Sequence, residues 1–414
     1  MMRIALMCKS DRFGGGASRV GEDLCCMLND AGHEAHLYLS FAIGDRAPYM
    51  RPLYTRPSAA STLWARYLNR VSTRTGLHNI IPSELVYLWL SRGYRDYDVF
   101  HFHDLSTAIS PITPWRISRS FPTVWTFHDC SAFTGGCIYP NDCLRYKQGC
   151  GQCPQIGQWP LEGTRDGTRT LLRIKQRALA APKLKIVTPS RWMAQLAMNS
   201  GSLKHSPRVI PNGVDTSVFS PRPKAEVRDQ LGLPRERPIV LFTAGPLHEE
   251  RKGLRYALDA LNAIADIDPL VLLIGKEDPG NEILFSDLDL VRTGYLQDES
   301  KKALYFAAAD VFLFTSLEDN LPLSILETMA AGTPVVGFDT GGVPEMIAQG
   351  VEGYLVPQRD GAGLVLGLRE ALTSQRADSW SKAARKRIEK DFSHQLFFER
   401  HLQLYSESIN EFHQ

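Results

Sequence analysis

The 414-residue sequence contains no apolar run near the ~18 residues that a membrane-spanning helix needs. Its longest candidate, ALYFAAADVFLF, is broken by Asp310 and reads as a helix followed by a strand. The N-terminus, MMRIALMCKSDRF, meets Lys9, Asp11 and Arg12 after only a few apolar residues, too few for the core of a signal peptide, so export is not expected. Cysteine is sparse, 8 in 414 residues, which excludes a disulfide scaffold. The expected compartment is a reducing cytoplasm, with thiols or metal ligands rather than disulfides. A net charge of +2 with 43% hydrophobic residues excludes a disordered chain. Short-period repeats and low-complexity tracts are also missing. What remains is a globular chain long enough for two to three domains.

The small net charge hides an asymmetry. Residues 1–207 hold 25 Lys+Arg against 14 Asp+Glu, whereas 208–414 hold 22 against 31. A basic half suits nucleic acid, an anionic membrane surface or a lipid diphosphate, or is simply a solvated face. Nucleic acid is set aside, because the cations are scattered and no recognised binding motif is present.

Short β-rich runs alternate with segments of helical period, the pattern of parallel sheets covered by helices. The first half offers strands at 3–8, 34–40, 98–103, 123–128, 185–190 and 208–213; the second offers 238–245, 270–275, 291–296, 311–316, 334–338 and 353–357. The predicted fold class is α/β, with two Rossmann-like doubly wound domains at 1–207 and 208–392, joined through a charged, proline-containing hinge near 206–238. Residues 393–414 read as a C-terminal helix crossing back to the first domain. Ligands of open parallel sheets bind at the carboxyl ends of the strands, so a site in the cleft between the two domains is expected.

The segment TSLEDNLPLSILETMAAGTPVV (315–336) carries the most chemistry. Behind a strand, Asp319 and Asn320 lead into a helix start, whose free N–H groups and dipole suit a phosphate. Glu327 lies farther along and can accept two hydrogen bonds from a ribose diol. In AGPLHEERKGL (244–254), Arg251 and Lys252 sit before a second helix start, where a fork and a point charge suit a diphosphate. Each feature alone could equally be a solvated turn.

Asp319 and Glu327 with seven residues between them, the following AAGTPVV, GGVPEMI at 341–347, RKG at 251–253 and PNGVDTSVF at 211–219 resemble a family-4 glycosyltransferase of GT-B fold over essentially the whole chain. The resemblance implies a nucleotide-sugar held mainly by the C-terminal domain and an acceptor held by the N-terminal one. Carried over, Glu327 binds the ribose, Asp319 a donor-sugar hydroxyl, and Arg251 with Lys252 the diphosphate. The family usually has Glu where this chain has Asp319, an Arg where it has Pro246, and a glycine-rich turn where it has Asn320, Leu321 and Pro322. Pro322 has no N–H, which leaves Leu321 and Leu323 as backbone phosphate donors.

In the first half, Gly14, Gly15 and Gly16 separate a strand from a helix. A tight packing turn explains them alone; the resemblance adds Gly15 and Gly16 to the donor site and Arg19 to the acceptor side. His101, His103 and His128 cluster at strand ends. The resemblance makes His128 the cleft histidine that touches donor sugar and acceptor, and His103 an acceptor-side residue.

Five of the eight cysteines lie within 24 residues, in HDCSAFTGGCIYPNDCLRYKQGCGQCP. Cys137, Cys143, Cys150 and Cys153 could surround one tetrahedral zinc ion and order a long loop; disulfides or buried thiols are the alternatives. This segment is similar to that of a subset of bacterial polysaccharide-assembly glycosyltransferases of the colanic-acid type. Residues 58–95 mix aromatics and arginines, as in an interfacial segment on anionic lipid or in ordinary packed helices.

Together these readings describe a retaining hexosyltransferase that uses a UDP- or GDP-sugar. The expected acceptor is a saccharide, polyprenyl-diphosphate-linked in cell-surface polysaccharide synthesis, handled at the inner face of the cytoplasmic membrane. The chemistry needs no Asp-x-Asp metal site, so no catalytic metal is expected. A nucleotide-sugar epimerase or hydrolase, or a non-catalytic relative, is the alternative.

Overall fold

The computed structural model describes residues 1–53, 67, 71–90, 93–244, 250–275, 285 and 288–414. The chain divides into two compact units, Met1–Pro211 with Phe398–Gln414, and Asn212–Phe397. The division falls four residues beyond the boundary read from sequence, and the last helix contributes to the first unit from Phe398 onward.

The first unit is built on seven parallel strands: β1 (Arg3–Cys8), β2 (Glu34–Leu39), β3 (Met50–Pro52), β4 (Val99–Phe102), β5 (Thr123–Thr126), β6 (Leu184–Thr188) and β7 (Arg208–Val209). Their order is β3-β2-β1-β4-β5-β6-β7. β1, β4 and β5 are buried nearly throughout because helices cover both faces of a parallel sheet. β3 went unread in the sequence: it is three residues long and ends in proline. The helices carry local signals that agree with their placement. Ser190 Oγ accepts from Met193 N at 3.0 Å and starts the helix Arg191–Asn199, as an N-cap residue should.

The second unit has six parallel strands: β8 (Ile239–Ala244), β9 (Leu270–Gly275), β10 (Leu290–Gly294), β11 (Val311–Phe314), β12 (Val335–Asp339) and β13 (Gly353–Pro357), ordered β10-β9-β8-β11-β12-β13. The stretch that resembled a broken membrane span is the helix Glu299–Ala308 followed by β11. Among the described residues, no helix is long and apolar enough to cross a membrane. Arg228, almost fully buried, spends its guanidinium on the carbonyls of Ala308, Arg235 and Arg237 and on Asp310 Oδ2 at 2.7 Å. A buried cation is tolerated here because every donor group has a partner.

The closing helix, His394–His413, buries Tyr405 completely, and the Tyr405 hydroxyl pairs with His101 Nδ1 of β4 at 2.6 Å. His101 Nε2 pairs with Thr126 Oγ1 at 2.8 Å. His101 is therefore a satisfied core residue rather than an exposed cleft group. Removing the hydroxyl leaves a buried imidazole nitrogen without its partner, so Tyr405→Phe should cost about 1–3 kcal/mol, measurable as a lower urea midpoint with unchanged slope.

Candidate functional site

In the second unit the strand order reverses between β8 and β11, the switch point at which open sheets bind ligands. The turn after β8, Glu250–Lys252, lies against the turn after β11 and is stitched to it. Leu317 N donates to Arg251 O at 2.7 Å, and Thr315 Oγ1 to Lys252 O at 3.0 Å. Gly253 permits this approach: its φ is +65°, and a Cβ there would stand 2.0 Å from Thr315 O. A third loop, following β12, closes in the same way. Gly341 has φ +58°, and a Cβ on it would lie 1.8 Å from Asp319 O, which also accepts from Gly342 N at 3.1 Å. Only glycine meets both demands at these two positions.

The stitching gathers the charged residues. Lys252 Nζ lies 3.0 Å from Asp319 Oδ2, Arg251 Nη1 3.6 Å from the same oxygen, and Arg251 also donates to Glu318 O at 2.8 Å. Burial pushes the Asp319 carboxyl up, but Lys252 and Arg251 outweigh it and hold it below the usual range. The expected division, with cations for a diphosphate and Asp319 for a sugar hydroxyl, is instead one ion-paired cluster.

Asn320 and Leu321 are buried beside it, and Leu321 O accepts from Asn212 Nδ2 at 3.1 Å. Pro322 takes the cap position, with extended backbone, and the helix runs Leu323–Ala330. Glu327 is only 3% exposed, and its Oε1 accepts from Lys302 Nζ at 2.8 Å. A ribose diol would share this carboxylate with Lys302. Sequence reasoning missed Lys302, since a lysine in an ordinary helix reads as solvent-facing; its ammonium stands over Phe219, 5.4 Å from the ring centre. Pro246, expected to disturb the basic loop, lies outside the described residues.

The first unit has its own switch point, between β1 and β4. Gly15, at φ +125°, precedes the helix Gly16–Asp30, and both glycines are exposed. Gly21 lets that helix press on β1, since a Cβ would lie 2.4 Å from Cys8 Sγ. Arg19 faces Asp23 one turn on, with Nε 3.6 Å from its carboxylate. His103 Nδ1 pairs with His128 Nε2 at 3.0 Å. At 2% exposure, His103 sits beneath His128 rather than at the surface expected of an acceptor contact. Burial, reinforced by neighbouring imidazoles, pulls His101 and His103 well below their usual range and His128 down to about 3.

Cys137, Cys143, Cys150 and Cys153 line one small cavity of about 20 Å³. The backbone from Gly149 to Gln152 has positive φ at every residue, which turns the CxxC loop sharply. All eight cysteines are free thiols. Among the described residues, no three His, Cys, Asp or Glu stand as a group that could hold a metal ion. The aromatic and arginine segment 58–95 is described only in part, with Trp64, Arg66, Leu68, Arg70 and Arg92 outside the described residues. Among those described, Trp89 and Tyr67 are exposed.

Two doubly wound parallel sheets, with a charged cluster at the switch point of the second, define a Rossmann-like enzyme of GT-B type. Residues 14–218 match the model described as Glycosyltransferase Family 4, and 237–374 the one described as Glycosyl transferases group 1. The chain is 26% identical to the phosphatidyl-myo-inositol mannosyltransferase of Mycolicibacterium smegmatis, over 89% of this chain and 84% of that protein. It is 27% identical to the putative colanic acid biosynthesis glycosyl transferase WcaC of Escherichia coli, over 54% of this chain and 53% of that one. Anabaena HepE, solved with UDP-glucose, shares the fold at a TM-score of 0.69 and 17% identity, covering 98% of this chain and all of that one. The chain is a glycosyltransferase of the family-4 and group-1 type.

The histidine cluster generates a pH prediction. As pH falls below ~6.5, an unfolded histidine takes a proton that a buried one with a lowered pKa refuses, so folding stability drops. Glu84, pushed up to about 7 by burial, and Asp129, pushed up to about 6, act in the opposite direction. The difference between wild type and His128→Asn isolates one histidine. Urea titrations from pH 6 to 4 should show wild type losing up to ~1.4 kcal/mol per pH unit more than the variant. Parallel profiles would contradict the placement of His128.

Proposed function

We propose that the protein moves a hexose from a UDP- or GDP-sugar to a hydroxyl of a saccharide acceptor with retention of anomeric configuration. The second unit holds the donor and the first the acceptor. The observation that carries this reading is the convergence of Arg251, Lys252 and Asp319 at the switch point of the second sheet. A departing diphosphate needs cations already in place, because preorganised charge is not spent on reorganisation during reaction. Arg251 and Lys252 supply them, exchanging part of their hold on Asp319 for the phosphates, and the N–H groups at Leu321 and Leu323 add donors at the helix start. Asp319, released in part, accepts from a sugar hydroxyl, and Glu327 with Lys302 takes the ribose. Gly15 and Gly16 we assign to the donor side and Arg19 to the acceptor side. The bond from the anomeric carbon to the diphosphate oxygen breaks, and the acceptor oxygen bonds to that carbon on the same face. The acceptor proton passes to the departing oxygen. His128, kept neutral by its surroundings, places the sugar and the acceptor.

The acceptor we propose is lipid-linked, with the enzyme working at the cytoplasmic face of the membrane in cell-surface polysaccharide assembly. The basic first half and the likeness to the colanic acid transferase support this. The four clustered cysteines we assign to one structural zinc. Their thiolate type and number suit it, and they share a cavity, although the side chains must draw together to close a tetrahedral shell.

Thermal shift against UDP-, GDP- and ADP-sugars tests the donor site. At a hundred times its Kd a donor adds about 2.7 kcal/mol, a rise of several degrees that Lys252→Ala should abolish. With the donor found, NMR of the product should show the donor's anomeric configuration, and an inverted product would overturn retention. Elemental analysis of the purified chain should find one zinc per molecule, with a lower melting temperature after chelation. Metal-free protein of unchanged stability would remove the zinc assignment.

A further inference from the structure

A second cavity, of about 140 Å³, lies wholly within the first unit, at the carboxyl ends of β4 and β5. None of its lining residues belongs to the site set out above. Its floor is the buried indole of Trp125 with Leu105 and Leu171, and its rim carries the indole of Trp159, 54% exposed. Lys175 is buried in its wall, His78 is half-buried and Glu162 is exposed.

Lys175 is the unusual member, a lysine only 6% exposed. It donates to Ser131 O at 2.7 Å and Thr134 O at 3.2 Å. An ammonium has three donors, so one N–H is left for the cavity that Lys175 lines. Burial pulls its pKa down to about 8, with Cys137 and Asp129 opposing, so the group is still mostly charged at neutral pH. Burial pulls the His78 pKa down, Lys175 adds to this, and Glu162 opposes it.

The wall is held in costly backbone. Thr107 has φ +66° and Asn79 φ +52°, and a β-branched residue in the left-handed region is a genuine outlier. Conformations of this kind persist where the surrounding structure over-determines them, and they gather at ligand sites. The cysteine loop forms the remaining side: Leu161 lines both this cavity and the cysteine-lined one, and Gly136 of this cavity follows Gly135 of the other.

A ligand that fits must be small, must both donate and accept, and must offer one apolar face. Fatty groups are disfavoured by the buried ammonium, and a phosphate by the Glu162 carboxylate in the same lining. A pyranose meets all three demands, since its hydroxyls can bridge Lys175 and Glu162 while its C–H face packs on an indole. We propose that this cavity binds one pyranose unit of the acceptor, with Trp159 as the stacking surface and Glu162 and Lys175 as the hydroxyl partners. The proposal rests on the reading that the first unit holds a saccharide acceptor, and it adds the place where one sugar ring sits and the residues that select it.

The test uses the full chain with five p-nitrophenyl pyranosides: glucoside, galactoside, mannoside, N-acetylglucosaminide and glucuronide. Saturation-transfer NMR should give a signal from at least one of them. That signal should fall at least fivefold in Trp159→Ala and in Glu162→Gln, both surface changes that leave the melting temperature intact, and should persist in Lys252→Ala. Unchanged signals in the two rim variants would overturn the proposal. So would the absence of any pyranoside signal while a nucleotide-sugar still raises the melting temperature, an outcome that leaves the transferase reading standing. A pyranoside signal lost in the rim variants without any response to nucleotide-sugars would support the cavity and count against the donor reading instead.

Discussion

Two contacts between backbone atoms hold the charged centre of the second unit together. Gly253 lies against the carbonyl of Thr315 and Gly341 against that of Asp319, each so close that a single methyl group would have no room. Three loops from three strands are thereby fixed with their main chains nearly touching, and the positions of Arg251, Lys252 and Asp319 follow. The cluster is precise because it is anchored by backbone rather than by long side chains, which would lose rotamer freedom to hold the same geometry. The acid and the two cations satisfy one another.

The first unit is organised around neutral polar groups instead. Imidazoles stack from His101 through His103 to His128, each bonded to a neighbour and kept uncharged by burial. Neutrality lets three titratable rings share a core without repulsion. It also leaves His128 able to accept or donate at the end of the sheet.

Much of this was legible in the chain. β1, β9 and β13 begin and end where the apolar runs do, because strands covered on both faces have no polar positions to blur their limits. Arg251, Lys252 and Asp319 were readable as a group from their places after strands. Their mutual pairing was not, since it depends on how closely two loops approach. Lys302 was hidden for a related reason: its partner Glu327 is 25 residues away and reached only through helix packing. The pyranose cavity could not be read at all, for its walls come from segments as far apart as Thr73 and Lys175, and Lys175 looks in sequence like any lysine of an amphipathic helix.

The closing helix has a consequence for how the chain is made. Tyr405 completes the hydrogen bonding of His101 in the middle of the first sheet, yet it leaves the ribosome after the whole of the second unit. At 5–20 residues per second, the first sheet waits about 10–40 s with its central histidine short of one partner. The second unit, continuous in sequence, is complete first, although the first unit begins earlier. During that interval the carboxyl-end loops of β4 and β5 belong to an unfinished core, a state in which the nascent chain is most open to chaperones and proteases.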